Sequence, residues 1–190
     1  MPPALDLNSQ ALAQCKIAKE HELTGDYQAA QEALATFWRG VGEYPQLDGL
    51  NRFAAAEILL HTGILTMLLG SAEQLAGAQE LAKDLITKSM RIFSDLGEQE
   101  KSTEAQFELA RCYWREGAYN EARDLLRDVL GKVQNSDSKA RALLQSASVE
   151  LYAKRPHESL RILNEAVPID VIGNKVFGSS PQTTLTIADT

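Results

Sequence analysis

Cysteine, histidine and aromatic residues are scarce in this chain of 190 residues, which has two Cys, three His and 6% Phe, Trp and Tyr. The two cysteines, Cys15 and Cys112, lie far apart and show none of the short spacings of metal sites or redox motifs. Each falls inside a helical pattern and reads as a reduced, buried, small apolar residue. The histidines His21, His61 and His157 stand in no metal-ligand spacing, and "HELTG" at His21 lacks the second histidine of a zinc-protease helix. No glycine-rich loop opens a helix after a strand, so a phosphate cradle is excluded. "GSS" at Gly178 is a lone resemblance to a nucleophile loop, without an Asp or His context. No cofactor and no metal are implied, and the expectation is a protein that is not an enzyme. One constellation offers an alternative: Glu57 and His61 lie one helical turn apart, either as an acid/base or ligand pair or as a hydrogen bond on a surface or groove.

Basic charge is also in deficit, with 19 Lys+Arg against 26 Asp+Glu and a formal net charge of -7. Most of such a surface repels a phosphate backbone, so nucleic acid is not an expected partner. Met1 to Gln10 lacks the basic start and apolar run of a secretory signal. The longest apolar stretch, Ile58 to Leu69, is broken by His61, Thr62, Gly63 and Thr66, and is shorter than the ~20 residues that span a bilayer. The expectation is a soluble, cytoplasmic protein with no membrane contact. A hydrophobic content of 44% over this length is enough for one sizeable core or one short solenoid.

What the chain does contain is an internal repeat. Ala11 to Phe37 reads "ALAQCKIAKEHELTGDYQAAQEALATF", and Ala105 to Val129 reads "AQFELARCYWREGAYNEARDLLRDV". With Gly25 and Gly117 as anchors, Ile17 matches Leu109, Ala18 matches Ala110, Tyr27 matches Tyr119, Ala30 matches Ala122 and Leu34 matches Leu126. Two weaker copies fill the remainder. One carries Leu59, Gly63, Gly70, Ala82, Ile86 and Phe93; the other carries Leu143, Ala147, Ser159, Leu163 and Ala166. Gly25 and Gly117 fall where one helix stops and the next starts, a place that calls for positive φ. Small residues at Ala18, Gly63, Ala110 and Ala147, opposed by Ala30, Ala82, Ala122 and Ser159, let two antiparallel helices approach closely. Tyr27 and Tyr119 open the second helices, where each ring covers the turn.

"GDYQAA" and "GAYNEA" carry the glycine, tyrosine and alanine signature of the tetratricopeptide repeat family, which the chain resembles from about Asn8 to Val167. The resemblance implies an all-α, right-handed α-solenoid of about four helix-turn-helix repeats. The pattern predicts eight helices, at about 8–24, 26–41, 49–70, 72–96, 98–116, 118–134, 137–153 and 156–167. Residues 1–167 then form a helical repeat domain, and 168–190 a non-helical, flexible tail. Ile169 to Phe177 is expected either to fold back as a crude cap or to leave the solenoid end open to another molecule. Gly70 to Ala82 is twelve residues, where Gly25 to Ala30 and Gly117 to Ala122 are five each. The seven extra residues are expected to lengthen the second helix of that repeat by about two turns, from a capping-box start at Ser71 and Gln74.

In this family the first helices of successive repeats line a concave groove. Carried over by position, the groove residues are Leu12, Cys15, Lys19, Glu22 and Leu23, then Glu57, Leu60, Ile64, Met67 and Leu68. The third repeat supplies Glu104, Phe107, Arg111, Trp114 and Arg115, and the fourth Arg141, Leu144, Ser148, Leu151 and Tyr152. One end is thus expected to be apolar through Ile64, Met67 and Leu68. The other combines Arg111, Arg115 and Arg141 with Trp114 and Tyr152, a mixture suited to an amphipathic or acidic helix or peptide. Phe107 and Trp114 also suit packing between neighbouring repeats. Family members that grip a chaperone's terminal carboxylate do so with a Lys and Asn residues, and those asparagines are absent here. The long second repeat is more similar to the sensor arrays of bacterial regulators. The implied partner is another protein or peptide; an alternative is a homo-oligomer built through the solenoid ends or tail.

Overall fold

The computed structural model describes residues 6–166, and the expectations for 168–190 lie outside that range. Among the described residues there are eight helices and no strand: α1 (Leu7–Thr24), α2 (Tyr27–Ala33), α3 (Arg52–Ala72), α4 (Ala78–Asp95), α5 (Gln99–Glu116), α6 (Tyr119–Lys132), α7 (Ser136–Tyr152) and α8 (Pro156–Ala166). Consecutive helices pair as hairpins, and α1, α3, α5 and α7 also touch in succession, which is the arrangement of an all-α repeat solenoid.

Local chemistry fixes most of the helix ends. The Asp6 carboxylate accepts from the backbone N–H groups of Asn8 and Ser9, both at 3.0 Å, and starts α1. Gly25 ends it at φ 80°, with the N–H of Asp26 reaching back to the His21 carbonyl at 3.0 Å. Asn51 caps α3 through the N–H of Ala54 at 2.9 Å, and its own N–H donates to Asn8 Oδ1 at 2.7 Å, tying the starts of α1 and α3 together.

Two expectations are corrected. The second helix stops at Ala33 rather than running to 41, and Leu34 to Phe37 form turns. Phe37 and Trp38 are adjacent yet both buried. After Ala33 the chain leaves the helical path, and both rings enter the core beside Leu34, Ile58 and Leu65. Gly40 and Gly42 at positive φ then carry the loop around, and Trp38 Nε1 donates to the Glu43 carbonyl at 2.9 Å.

The seven-residue insertion falls in the end of the first helix of the second repeat and the turn after it, not in the second helix. Ser71 and Ala72 continue α3, with Ser71 Oγ donating to the Met67 carbonyl at 2.8 Å, and α4 begins only at Ala78. The turn glycine of this repeat is Gly77, at φ 78°, which stands five residues before Ala82 just as Gly25 stands before Ala30. Gly70 is instead a contact glycine inside α3: a Cβ there would lie 2.4 Å from the Ala78 Cβ. In the fourth repeat the same turn slot holds Lys154 at φ 60°, a left-handed conformation that costs a residue with a Cβ ~1–2 kcal/mol.

The lengthened α3 is the centre of the molecule. By length and composition it could cross a bilayer, but it lies mostly buried inside the protein. On one side Ile58 and Leu65 join Leu34, Phe37 and Trp38; on the other Leu60, Ile64, Met67 and Leu68 join Ile86, Phe93, Leu109 and Cys112. A helix apolar on all sides has to be surrounded, and this one is. Both cysteines are buried and unpaired. The small-residue contacts predicted between paired helices are present: Ala18, Ala30, Ala82, Ala110 and Ala122 are fully buried, and Ser159 Oγ donates to the Ala147 carbonyl at 2.8 Å.

A Cβ at Gly63 would meet Ile86 Cγ1 at 2.6 Å and the Ala82 carbonyl oxygen at 3.3 Å, whereas one at Gly131 in α6 would meet nothing within 4 Å. Gly63→Ala is therefore expected to lower the unfolding free energy in urea by about 1–3 kcal/mol. Gly131→Ala is expected to raise it by about 1 kcal/mol.

Candidate functional site

On the face formed by the first helices, α1, α3 and α5 are joined by an open ring of six charges that alternate in sign, running from Lys19 to Glu22. Lys19 on α1 donates to Glu104 on α5 at 2.6 Å, and Lys101 lies 3.3 Å from Glu104 and 2.7 Å from Glu57 on α3. His61 stands 3.7 Å from Glu57 through Nε2, and its Nδ1 contacts Glu22 at 2.9 Å, back on α1. Glu57 and His61 are buried, at 5% and 2% exposure. Burial alone would push the His61 pKa down. The contacts with Glu22 and Glu57 outweigh it and raise the pKa to about 9, so the imidazole is a cation at neutral pH. For Glu57, burial acts upward, yet the contacts with His61 and Lys101 hold its carboxyl below the usual range. The same balance, with Lys19 and Lys101 as the cations, holds Glu104 low.

This ring closes the first half of the predicted groove. Lys19 is committed to Glu104, which connects α1 directly to α5 over the top of α3. Glu57, Ile64 and Met67, expected to face a partner, are buried at 5%, 5% and 0%, and Leu60 and Leu68 are buried with them. The apolar end of the groove is core. The positional rule takes these apolar side chains as exposed, while here they pack against Ile86 and Phe93 of α4 and Leu109 and Cys112 of α5.

The second half stays open. Trp114 of α5 meets the exposed Tyr152 of α7 edge to face, with ring centroids 5.3 Å apart, and the Arg141 guanidinium lies 5.2 Å from the Phe107 ring centre. Phe107 and Trp114 thus pack between repeats and are half-buried. Arg115 lies 5.9 Å from the Trp114 ring centre and is exposed. Burial of its stem and the nearby Arg111 charge push its pKa down. Glu108, buried beneath this group, takes Arg111 at 2.6 Å and Arg141 at 3.8 Å. Burial still raises its pKa, despite both arginines. Of the predicted groove residues, the structure therefore gathers Phe107, Arg111, Trp114, Arg115, Arg141 and Tyr152 into one patch. Lys101 and Glu108 stood outside the predicted positions. Their only sequence signals are the i,i+3 spacings Lys101–Glu104 and Glu108–Arg111, which mark local ion pairs and not contacts between helices.

The ring has a pH signature. A folded-state pKa of about 9 for His61 lies above the ordinary value of 6.5, so its contribution to stability is complete below about pH 6.5 and is lost as pH rises through 9. Urea unfolding from pH 6.5 to 10 should show the wild type losing its advantage over His61→Gln, with the two converging at the alkaline end. NMR titration should place the His61 imidazole midpoint near 9.

The sequence pattern of the tetratricopeptide repeat matches residues 71–147. No curated protein matches the chain. Among solved structures, the nearly identical TPR-like repeats of a Podosopora anserina protein named for kinesin light chain are similar at 19% identity and a TM-score of 0.48, with 90% of this chain and 100% of that chain covered. MamA of AMB-1 is similar at 15% identity and a TM-score of 0.34, with 85% and 99% covered. The turn glycines, the small-residue pairs and the matched stretch agree: residues 71–147 carry the tetratricopeptide repeat pattern, within an all-α repeat solenoid.

Proposed function

We propose that the concave face of the third and fourth repeats captures an acidic segment of a partner protein, either an amphipathic helix or an extended peptide. The observation that carries this reading is a local imbalance of charge. Three guanidiniums, those of Arg111, Arg115 and Arg141, gather around a single carboxylate, Glu108, which contacts Arg111 and Arg141 and whose burial raises its pKa. Arg115 has no carboxylate partner among the described residues and lies beside another arginine. An arriving carboxylate would relieve that repulsion and gain charge-assisted hydrogen bonds. Trp114, Phe107 and Tyr152 supply apolar surface beside the charges, the combination that dominates binding hot spots.

The reading is of binding rather than catalysis. Glu57 and His61, the one acid/base candidate, are buried with their charges engaged by Lys101 and Glu22. A peptide-binding scaffold is what a repeat of this family supports, and a cytoplasmic setting is proposed with it.

The chain has two tryptophans; Trp38 is buried in the first repeat, and Trp114 borders the arginines. Titration with a glutamate-rich helical peptide should shift the Trp114 emission saturably, while a lysine-rich peptide of equal length should not. Arg111→Glu combined with Arg115→Glu should weaken binding tenfold or more. Unchanged affinity in that double variant would refute the assignment.

A further inference from the structure

The junctions after the second and third repeats use the same two positions, three residues before and four residues after the small residue of the first helix. In the second repeat these are Leu60 and Met67, both fully buried under the third. In the third they are Phe107 and Trp114, which the fourth repeat covers with Arg141 and Tyr152. In the fourth they are Leu144 and Leu151, which remain 45% and 56% exposed. The positions that do the covering, six residues before and five after the small residue, are Arg141 and Tyr152 in the fourth repeat. The same positions in the first repeat are Leu12, half-buried, and Leu23. Leu23 is 71% exposed, and Ile17, whose counterpart Leu109 is buried at 6%, is 45% exposed.

We propose that two copies of this chain stack head to tail, with the first repeat of one molecule taking the place of a fifth repeat on the other. The contact continues the interface already present between repeats three and four. Where that interface pairs Trp114 with Tyr152 and Phe107 with Arg141, the new one pairs Leu151 with Leu23 and Leu144 with Leu12 of the second copy. Each pair joins one large apolar side chain to another, which burial favours. The two faces differ, so the contact is heterologous and does not close after two molecules. It also leaves the arginine patch of the concave face open in each copy.

The test is a complementation of faces by sedimentation velocity across a concentration series. The wild type is expected to grow beyond a dimer as concentration rises. Leu23→Asp damages only the leading face and Leu151→Asp only the trailing face, so each variant alone should remain monomeric. Their mixture should form a one-to-one dimer and no larger species, because one intact leading face meets one intact trailing face. Both leucines are exposed, so the variants are expected to fold, and circular dichroism and melting temperature verify this. A wild type that is monomeric at every concentration overturns the proposal. So does a Leu23→Asp protein that assembles like the wild type, which would indicate a self-complementary face. A mixture that forms no dimer overturns it as well.

Discussion

The charge on His61 is the constraint around which the first three repeats are organised. An imidazolium buried to 2% exposure is tolerable only between carboxylates, and it receives Glu22 from α1 and Glu57 from its own helix. Those carboxylates require cations of their own, which Lys101 supplies to Glu57. The path then passes through Glu104 and ends at Lys19, one turn from Glu22 on α1. Signs alternate at every step, so each buried charge has an opposite neighbour and the group is neutral while His61 is protonated. Loss of any member would strand its partners, which makes the ring a device for specificity of arrangement more than a source of net stability.

The ring and the seven-residue insertion act on the same helix. An α3 of 21 residues reaches past the ends of its neighbours and presents apolar side chains on all sides. Such a helix needs cover on every face, and close approach on the α4 side depends on having no Cβ at Gly63 and Gly70. Cover on the concave side comes from α1 and α5, which the Lys19–Glu104 contact holds together. On the proposed reading, a partner is left with the second half of the groove.

Much of the fold was legible in the sequence because its signals are local. Gly25 with Asp26, Gly117 with Tyr119, and the alanines facing each other across each hairpin act within a few residues or at fixed spacing. The second repeat misled because two glycines compete for one role: Gly70 aligned with a turn only if the insertion followed it, whereas Gly77 is the residue with positive φ. Counting back five from Ala82 would have found it. The end of α2 was hidden because Phe37 and Trp38 fit a helical pattern until both must be buried. Least legible was the candidate site. Positional rules name the residues on the inner face of a first helix but say nothing about which side chains of other helices pack on them. Those contacts decided that Glu57, Ile64 and Met67 are buried while Arg111, Trp114 and Arg115 border a surface patch.

The position of that patch also matters for how a partner arrives. A molecule with a formal net charge of -7 repels an acidic ligand from most directions, and beyond about 8–10 Å salt screens what remains. In the first half of the concave face the six ring charges cancel and offer an approaching anion no net attraction. In the second half, Arg111, Arg115 and Arg141 outnumber the single buried Glu108, and Arg115 lies at the surface with its charge unpaired among the described residues. Attraction is thus confined to one short stretch of an otherwise repulsive surface. Such an arrangement favours orientation and selectivity over tight non-specific capture. On the proposed reading, the aromatic rings beside the arginines select among acidic segments, because a purely charged ligand gains nothing from Trp114 or Tyr152.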